Sequence, residues 1–423
     1  MYRFSTLSLV VLTFIFSMNA SVTLQECRNK ARDNYPLVSR YDLIQATKDC
    51  NVRNASLAWL PRFQIGGSGA WLSNTTEAKD LTDILGGLSS MINLPDKNEQ
   101  PWQYKVSATV TQSLWDGGAS ALYKKMAEAN ADRDKAELDV SFYELQCHVD
   151  EVYFSVLLLE QRLKQAQSRM QVLENNLARM RLIFDEGEVS QMDIKSIEAE
   201  VKAASQQIRL IESNIASSRM SLSLLTSMDL NKEELITPLE PTAVRLRPEH
   251  TLIESSRKLL ELKMKQLNID LSPKIYFIAD AYYGYPGRNL FKGLTDYNPS
   301  FNAMLGVQLK FNLDPLYTRK NDRMLITNQM NDLDLQRDLL NFQTKLANTG
   351  VNQEIQFLRQ TLDDDAEILR LRTDVRIAAE ERLESGIIDA SDLLQKINDE
   401  AYAALQKSIH QIELLRALYK LEK

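Results

Sequence analysis

The chain has 423 residues, 44% of them hydrophobic, so it is long enough for two or three domains with a buried core. Only 14 Gly and 11 Pro interrupt it, which predicts long helices and few turns. A formal net charge of −7 argues against nucleic acid as a partner, because phosphate binding requires a basic surface.

Residues 1–20 have the features of a secretory signal peptide. Arg3 precedes an apolar run from Leu7 to Phe16, and Ala20 is a small residue at a possible cleavage point. This run is too short to span a bilayer, and no later stretch approaches about 18 uninterrupted apolar residues. The sequence therefore predicts an exported chain without a membrane-spanning helix.

Three cysteines, Cys27, Cys50 and Cys147, would meet an oxidising compartment after export. A Cys27–Cys50 disulfide stays open. If the chain folds back on itself at Pro36, Cys50 lies about 8 Å too far along its helix to face Cys27. Neither CxxC nor Cys/His spacing occurs, so no metal or other cofactor is expected.

One order of patterns occurs twice along the chain. Pro36 and Pro61 enclose a helical pattern, and Pro248 and Pro273 enclose another of equal length. We therefore predict a first repeat over residues 21–228, a linker over 229–247 and a second repeat over 248–423.

Each repeat continues with two stretches of alternating polarity, which predict strands. They are RFQIGGSGAW (62–71) and YKVSATVTQSLW (104–115) in the first repeat, and KIYFIADAYY (274–283) and FNAMLGVQLKF (301–311) in the second. Strands of about ten residues suit a bilayer barrel, but a soluble two-layer sheet alternates identically. Aromatic residues near the strand ends resemble an interfacial girdle: Trp71, Trp102, Tyr104, Trp115, Tyr282 and Tyr283.

Long helices with coiled-coil spacing follow the strands. Apolar residues from Val149 to Met180 recur at steps of three and four, and the rhythm resumes from Ile197 to Ile215. The proline-free stretch 119–183 would measure roughly 100 Å as one helix. In the second repeat the seam runs from Val351 to Leu362, and the acidic run 363–365 that follows predicts a solvated face or a water-filled lining.

Each pair of long helices is predicted to turn at a short Gly-containing tip, FDEGEVSQMD (184–193) or LESGIIDASD (383–392). In the first tip, Gly187 ends one helix, and Ser190 caps the next with help from Asp193. In the second tip, Gly386 ends the helix, and Asp389 or Ser391 caps its partner.

Five ordered motifs resemble the TolC family of outer membrane efflux proteins. The opening VTLQECRNKARDNYPLV (22–38), the junction QSLWDGGASA (112–121), LRPEH (246–250) and the two tips are similar to that family's motifs. The junction places Asp116, Gly117 and Gly118 between strand and helix.

The resemblance implies a mainly α fold with transmembrane β structure. Two α-β-β-α repeats would give long coiled-coil hairpins and four strands per protomer, and a homotrimer would close a twelve-stranded barrel in outer membrane lipid, with helices extending into the periplasm. Loops 73–101 and 284–300 would face outside, and 231–247 would lie around the waist of the helical tunnel.

The same resemblance implies a passive exit duct for efflux or type I secretion, with a periplasmic adaptor and an inner-membrane transporter as partners. The tips Gly187, Ser190, Gly386 and Asp389 would dock the adaptor. Asp392 would form an acidic ring at the periplasmic gate, with Asp193 in a tethering position. The family's second ring position falls on Gln395, and its tethering Tyr and Arg fall on Leu383 and Ile388, so one acidic ring is expected.

Other interpretations stay open at this point. The tip glycines could merely end helices, and the tip aspartates could merely stabilise helix N-termini. A periplasmic coiled-coil scaffold without a barrel is the main alternative function. An enzyme is not expected, because no phosphate-binding loop or catalytic cluster occurs and the three histidines, His148, His250 and His410, are scattered. His148 is predicted on a helix surface, and the transported substrate is not evident.

Overall fold

The computed structural model describes residues 21–73, 101–185, 190–231, 233–285, 287–289, 293–296, 298–385, 387–388 and 390–421. The predicted signal peptide, most of the loop 73–101, and the tip residues Gly187, Gly386 and Asp389 lie outside these ranges.

The fold is mainly α with added β structure. The helices are α1 (Leu24–Asn34), α2 (Arg40–Leu57), α3 (Ala119–Asp185), α4 (Gln191–Thr226), α5 (Glu249–Ile269), α6 (Pro315–Glu384) and α7 (Ala390–Tyr419). The strands are β1 (Ser21–Val22), β2 (Arg62–Trp71), β3 (Trp102–Trp115), β4 (Glu234–Leu235), β5 (Lys274–Tyr285), β6 (Gly287–Asn289), β7 (Gly293–Asp296) and β8 (Ser300–Lys310). The succession of helix, two long strands and two long helices occurs twice, as predicted.

Local sequence explains several helix boundaries. Thr23 and Glu26 form a reciprocal capping box at the start of α1, where the Thr23 amide donates to Glu26 Oε2 at 2.8 Å. A 3₁₀ turn at Pro36–Ser39 separates α1 from α2. Pro315 is the first residue of α6, where its missing N–H has no intrahelical partner to lose. None of the helices in the described ranges is long and apolar enough to cross a membrane.

The coiled-coil spacing of α3 and α4 corresponds to packing in the structure. Val149 and Val156 are fully buried, and Ile211 of α4 is also buried. Ion pairs connect Arg181 with Glu198 and Glu160 with Arg219. Each pair is placed symmetrically about the first tip, as an antiparallel hairpin requires.

The second hairpin, α6 and α7, is antiparallel in the same way. Arg376 of α6 donates to Glu400 of α7 at 2.5 Å. A small core of Ile355, Leu358, Leu414 and Ala417 packs between these helices. The predicted long hairpins are therefore present in both halves.

The four long strands form one antiparallel sheet in the order β2-β3-β5-β8. Among the described residues, its outer strands, β2 and β8, each pair on one side only. A bulge at Leu114 shifts the register of β3 against β5 between Ser113 and Trp115. Two smaller pairings are β1 with β4, which is parallel, and β6 with β7, which is antiparallel.

The chain divides into two compact units, and each draws on both repeats. The helical unit comprises the described residues of 1–41, 136–250 and 337–423. Its largest fully buried side chains include Tyr153 and Phe154. The sheet unit comprises the described residues of 42–135 and 251–336, and its helices share a core of Leu122, Ala129, Leu259 and Leu262.

Candidate functional site

One face of the four-stranded sheet is apolar and uncovered. Residues paired across neighbouring strands share a face, so Ile65, Ala108, Ala281 and Ala303 lie in one row. The exposed fraction is 83% for Ile65 and is high along β2 and β8, whereas most residues of β5 on this face are half-buried. Its other large apolar members with high exposure are Phe63, Trp71, Trp102, Tyr104, Val106, Tyr283, Phe301, Leu305, Val307 and Leu309. An uncovered surface of this kind needs an apolar partner, because its contact with water is unfavourable.

The opposite face of the sheet is polar. It carries Gln64, Ser68, Ser107, Thr111, Asn302 and Gln308 among others. Thr109 donates its hydroxyl hydrogen to Asp280 Oδ1 at 2.6 Å. Lys105 Nζ lies 4.5 Å from the centre of the Tyr282 ring. Tyr282 therefore belongs to the polar face, and the prediction that it is part of the aromatic girdle is wrong.

The junction from β3 to α3 is built around Asp116. Its carboxylate accepts hydrogen bonds from the Gly118 amide at 2.9 Å and the Ser120 amide at 2.7 Å. Burial pushes the pKa of Asp116 upward, but the hydrogen bonds from Ser120 and Gly118 outweigh it and hold the pKa below its usual value. The carboxylate thereby stabilises the start of α3.

Both junction glycines have backbone conformations that favour glycine, with φ of 69° at Gly117 and 90° at Gly118. A Cβ atom on Gly117 would also lie 2.7 Å from Ser272 Cβ, whereas one on Gly118 would meet nothing within 4 Å. Gly117 thus lets the β3–α3 turn approach the α5–β5 turn closely.

The first tip is described up to Asp185 and again from Ser190 onward. Ser190 is the N-cap of α4, and its hydroxyl and amide both donate to Asp193 Oδ2, at 2.7 and 3.1 Å. These hydrogen bonds lower the pKa of the fully exposed Asp193. The cap predicted from the sequence is present, and the Asp193 carboxylate is engaged with the helix N-terminus.

The second tip places the remaining gate candidates near the start of α7. Asp392 lies in its first turn and is exposed, and Gln395 lies one turn later and is also exposed. Leu383 and Ile388 are half-buried in the single chain. This geometry leaves the side of α7 that carries Asp392 and Gln395 accessible, while their role in a gate remains a prediction.

A buried charged cluster in the helical unit was not predicted from the sequence. Asp150 of α3 accepts from Arg28 Nε and Nη2, both at 2.6 Å, and from Arg245 Nη2 at 2.7 Å. Its side chain is only 8% exposed. Arg245 also donates to the Tyr419 carbonyl at 2.5 Å. One carboxylate therefore connects α1, α3, the linker and the end of α7.

The acidic run 363–365 does not behave as one solvated face. Asp363 and Asp364 are exposed, but Asp365 is buried and lies 2.6 Å from His410 Nδ1. The expectation is wrong for Asp365, because this residue continues the seam from Leu358 and Leu362 and so faces α7. His148 is exposed on α3, as predicted.

Cys27 and Cys50 are not disulfide-bonded; Cys27 is buried and Cys50 is exposed. Burial, together with the nearby negative charge of Glu26, raises the pKa of the Cys27 thiol to about 12. Among the described residues, no group of His, Cys, Asp and Glu could hold a metal ion.

Comparison with known proteins supports the interpretation of the sheet and hairpins. The model of the family described as outer membrane efflux protein matches residues 28–227. No curated protein sequence matches the chain significantly.

Three solved structures share the fold over nearly the whole chain. The outer membrane protein VceC from Vibrio cholerae is 12% identical, with a TM-score of 0.62 over 94% of this chain and 96% of VceC. The MtrE outer membrane channel from Neisseria gonorrhoeae, in its open state, is 15% identical, with a TM-score of 0.59 over 94% of this chain and 88% of MtrE. The CmeC outer membrane channel from Campylobacter jejuni is 13% identical, with a TM-score of 0.57 over 94% of this chain and 85% of CmeC. Residues 28–227 therefore match the outer membrane efflux protein family, and nearly the whole chain shares the fold of solved outer membrane channels.

Proposed function

We propose that the chain is the passive outer membrane exit duct of a tripartite efflux or type I secretion system. It would work as a homotrimer with a periplasmic adaptor and an inner-membrane transporter that supplies the energy. The observation that carries this proposal is the four-stranded sheet, with one exposed apolar face and one polar face.

The apolar face suits contact with lipid, and the polar face suits a water-filled lumen. In the part of the chain that the structure describes, a single copy of the sheet leaves the outer edges of β2 and β8 without strand partners. Unpaired backbone groups in lipid cost several kcal/mol each, so the edges must pair with other copies. Three copies give a closed barrel of twelve strands, in which β2 of one copy pairs with β8 of the next.

Cell fractionation followed by an unboiled gel tests this proposal. The duct predicts that detergent is needed to extract the protein from the outer membrane and that it migrates as a heat-labile trimer. Recovery as a soluble monomer would contradict the duct and would favour the periplasmic scaffold instead.

We propose further that the two hairpin tips dock the adaptor. The matching positions of Gly187 and Gly386 support this role, since neither is needed for anchoring in the membrane. Replacing either glycine with Trp should abolish export while trimer yield and outer membrane level stay normal. Normal export by both variants would reject tip docking.

The last part of the proposal is a gate formed by Asp392. Threefold symmetry would bring three copies of this exposed carboxylate together at the periplasmic end, where a ring of negative charge attracts cations. Asp193 is the corresponding residue of the first tip, and Gln395 leaves the second ring position uncharged. The closed state would then depend more on apolar packing, including Leu383 and Ile388, than on ion pairs.

Planar-bilayer conductance tests the gate. Asp392→Asn should reduce cation preference and block by multivalent cations, whereas the neighbouring Asp389→Asn should change little. Equal effects from the two variants, or none from Asp392→Asn, would reject the assignment.

A further inference from the structure

All ionisable Lys, Arg, Asp and Glu side chains of the four long strands lie on the polar face of the sheet. These residues are Arg62 on β2, Lys105 on β3, Lys274 and Asp280 on β5, and Lys310 on β8. The pairing register assigns each of them to the rows that alternate with the exposed apolar rows. The charge of the sheet is therefore presented entirely to one side.

This charge is strongly unbalanced, with four basic residues and one acidic residue. The acidic group, Asp280, accepts the hydroxyl hydrogen of Thr109. Within the ranges that the structure describes, none of the four basic side chains forms an ion pair. Their positive charges are therefore not neutralised by carboxylates of the described strands.

The basic residues are spread along the strands. Lys274 and Lys310 are direct register partners at the end of the sheet next to the helices. Like charges in directly opposite positions are unfavourable unless an anion or water separates them. Lys105 lies toward the other end, paired with Gly284 and Ser68, where it is exposed and contacts the Tyr282 ring.

We propose that this face makes the barrel lumen selective for anionic solutes, with Lys105, Lys274 and Lys310 as the specificity-determining residues. The inference rests on the proposed trimeric barrel, in which the polar face lines the pore. Each protomer would contribute a net charge of three positive units from its strands, repeated by threefold symmetry. Low-dielectric barrel walls focus the field of such charges and raise the local concentration of anions.

The selectivity of the lumen is opposite in sign to that of the Asp392 ring. The whole-channel preference therefore depends on both filters. Small organic anions with a carboxylate or phosphate group are the solute class that the lumen favours. A cationic solute would instead meet its barrier in the barrel.

Reversal potentials of the purified protein in planar bilayers under a KCl gradient test the inference, in the native chain and in the Asp392→Asn background. The triple variant that combines Lys105→Gln, Lys274→Gln and Lys310→Gln should lower the chloride-to-potassium permeability ratio several-fold in both backgrounds. The matched Lys→Arg triple variant keeps the charge and should keep the ratio. Asp280→Asn should shift the ratio in the opposite direction, toward chloride. Replacement of chloride by benzoate should show the same order of variants.

The outcomes separate this inference from the proposed function. If the protein forms no conducting channel, the duct itself is wrong, and the inference fails with it. If it conducts but the Lys→Gln variant keeps the native ratio, the duct stands and anion selection by these lysines is wrong. A loss of selectivity in both the Gln and Arg variants would likewise overturn the role of charge, because only the Gln variant removes it.

Discussion

Replacing Asp150 with Asn should destabilise the helical unit more than any exposed charge substitution. The change keeps the side-chain shape but removes the negative charge that faces Arg28 and Arg245. Asp150 is 8% exposed, and the two guanidinium groups are 13% and 20% exposed, so water screens their repulsion poorly. Removing one partner of a buried ion pair costs about 3–5 kcal/mol.

The loss should be visible as a lower thermal midpoint of the helical circular dichroism signal of the detergent-solubilised protein. For a unit of this size the cost corresponds to a decrease on the order of 10 °C. Asp374→Asn is the matched control in the same unit, because Asp374 is 59% exposed and lies 3.2 Å from Arg370. An exposed pair of this kind contributes about 1 kcal/mol or less.

A third variant separates charge from packing. Arg28→Met, Asp150→Leu and Arg245→Met together remove all charges of the cluster, and well-packed apolar substitutes for a buried ionic cluster are often tolerated. This triple variant should be more stable than Asp150→Asn. Equal midpoints for Asp150→Asn and Asp374→Asn would refute the reasoning.

Three further predictions concern local features. Gly117→Ala should reduce trimer yield more than Gly118→Ala, because both acquire strain at positive φ but only Gly117 would also acquire a clash; equal yields would exclude the close approach. In the native protein at pH 8, maleimide should label Cys50 much faster than Cys27, because burial and a pKa near 12 keep Cys27 as a protonated thiol; faster labelling of Cys27 would contradict its placement. His410→Leu should lower the free energy of unfolding by about 1–3 kcal/mol, because the buried carboxylate of Asp365 loses its partner. The loss should be visible as a lower thermal midpoint, and an unchanged midpoint would show that the pair contributes nothing.

The strands and long helices could be predicted because periodicity reports burial directly. β2 has the same bounds as the alternating stretch RFQIGGSGAW, and α3 extends the proline-free stretch by two residues to Asp185. Each of these patterns is local, so neighbouring residues in the sequence carry the whole signal.

The role of Asp365 could have been predicted but was not. The acidic run suggested a single solvated surface, although successive helical residues point in different directions. Asp365 follows Leu362 at the spacing of the seam, which indicates a buried carboxylate that needs a partner. Only the identity of that partner, His410, required the structure, since it lies 45 residues away.

The Asp150 cluster could not be predicted from local patterns. Arg28 is 122 residues from Asp150, and Arg245 is 95 residues away. Nothing in the spacing of the three residues distinguishes them from other charged residues on helix surfaces. The same holds for the close approach of Gly117 to Ser272, which depends on how two turns meet.

Cross-linking across the free sheet edges tests the central claim, a barrel closed by three copies, most directly. Gln64→Cys on β2 and Gln308→Cys on β8 place thiols on the polar side of the two outer strands, in a chain with Cys50 and Cys147 replaced by Ser. Bismaleimides of increasing span, applied to outer membranes, should give a ladder that ends at the covalent trimer, and a chain with only one of the two introduced cysteines should give none. Absence of intermolecular products at every span, or a ladder that continues beyond three copies, would contradict the account.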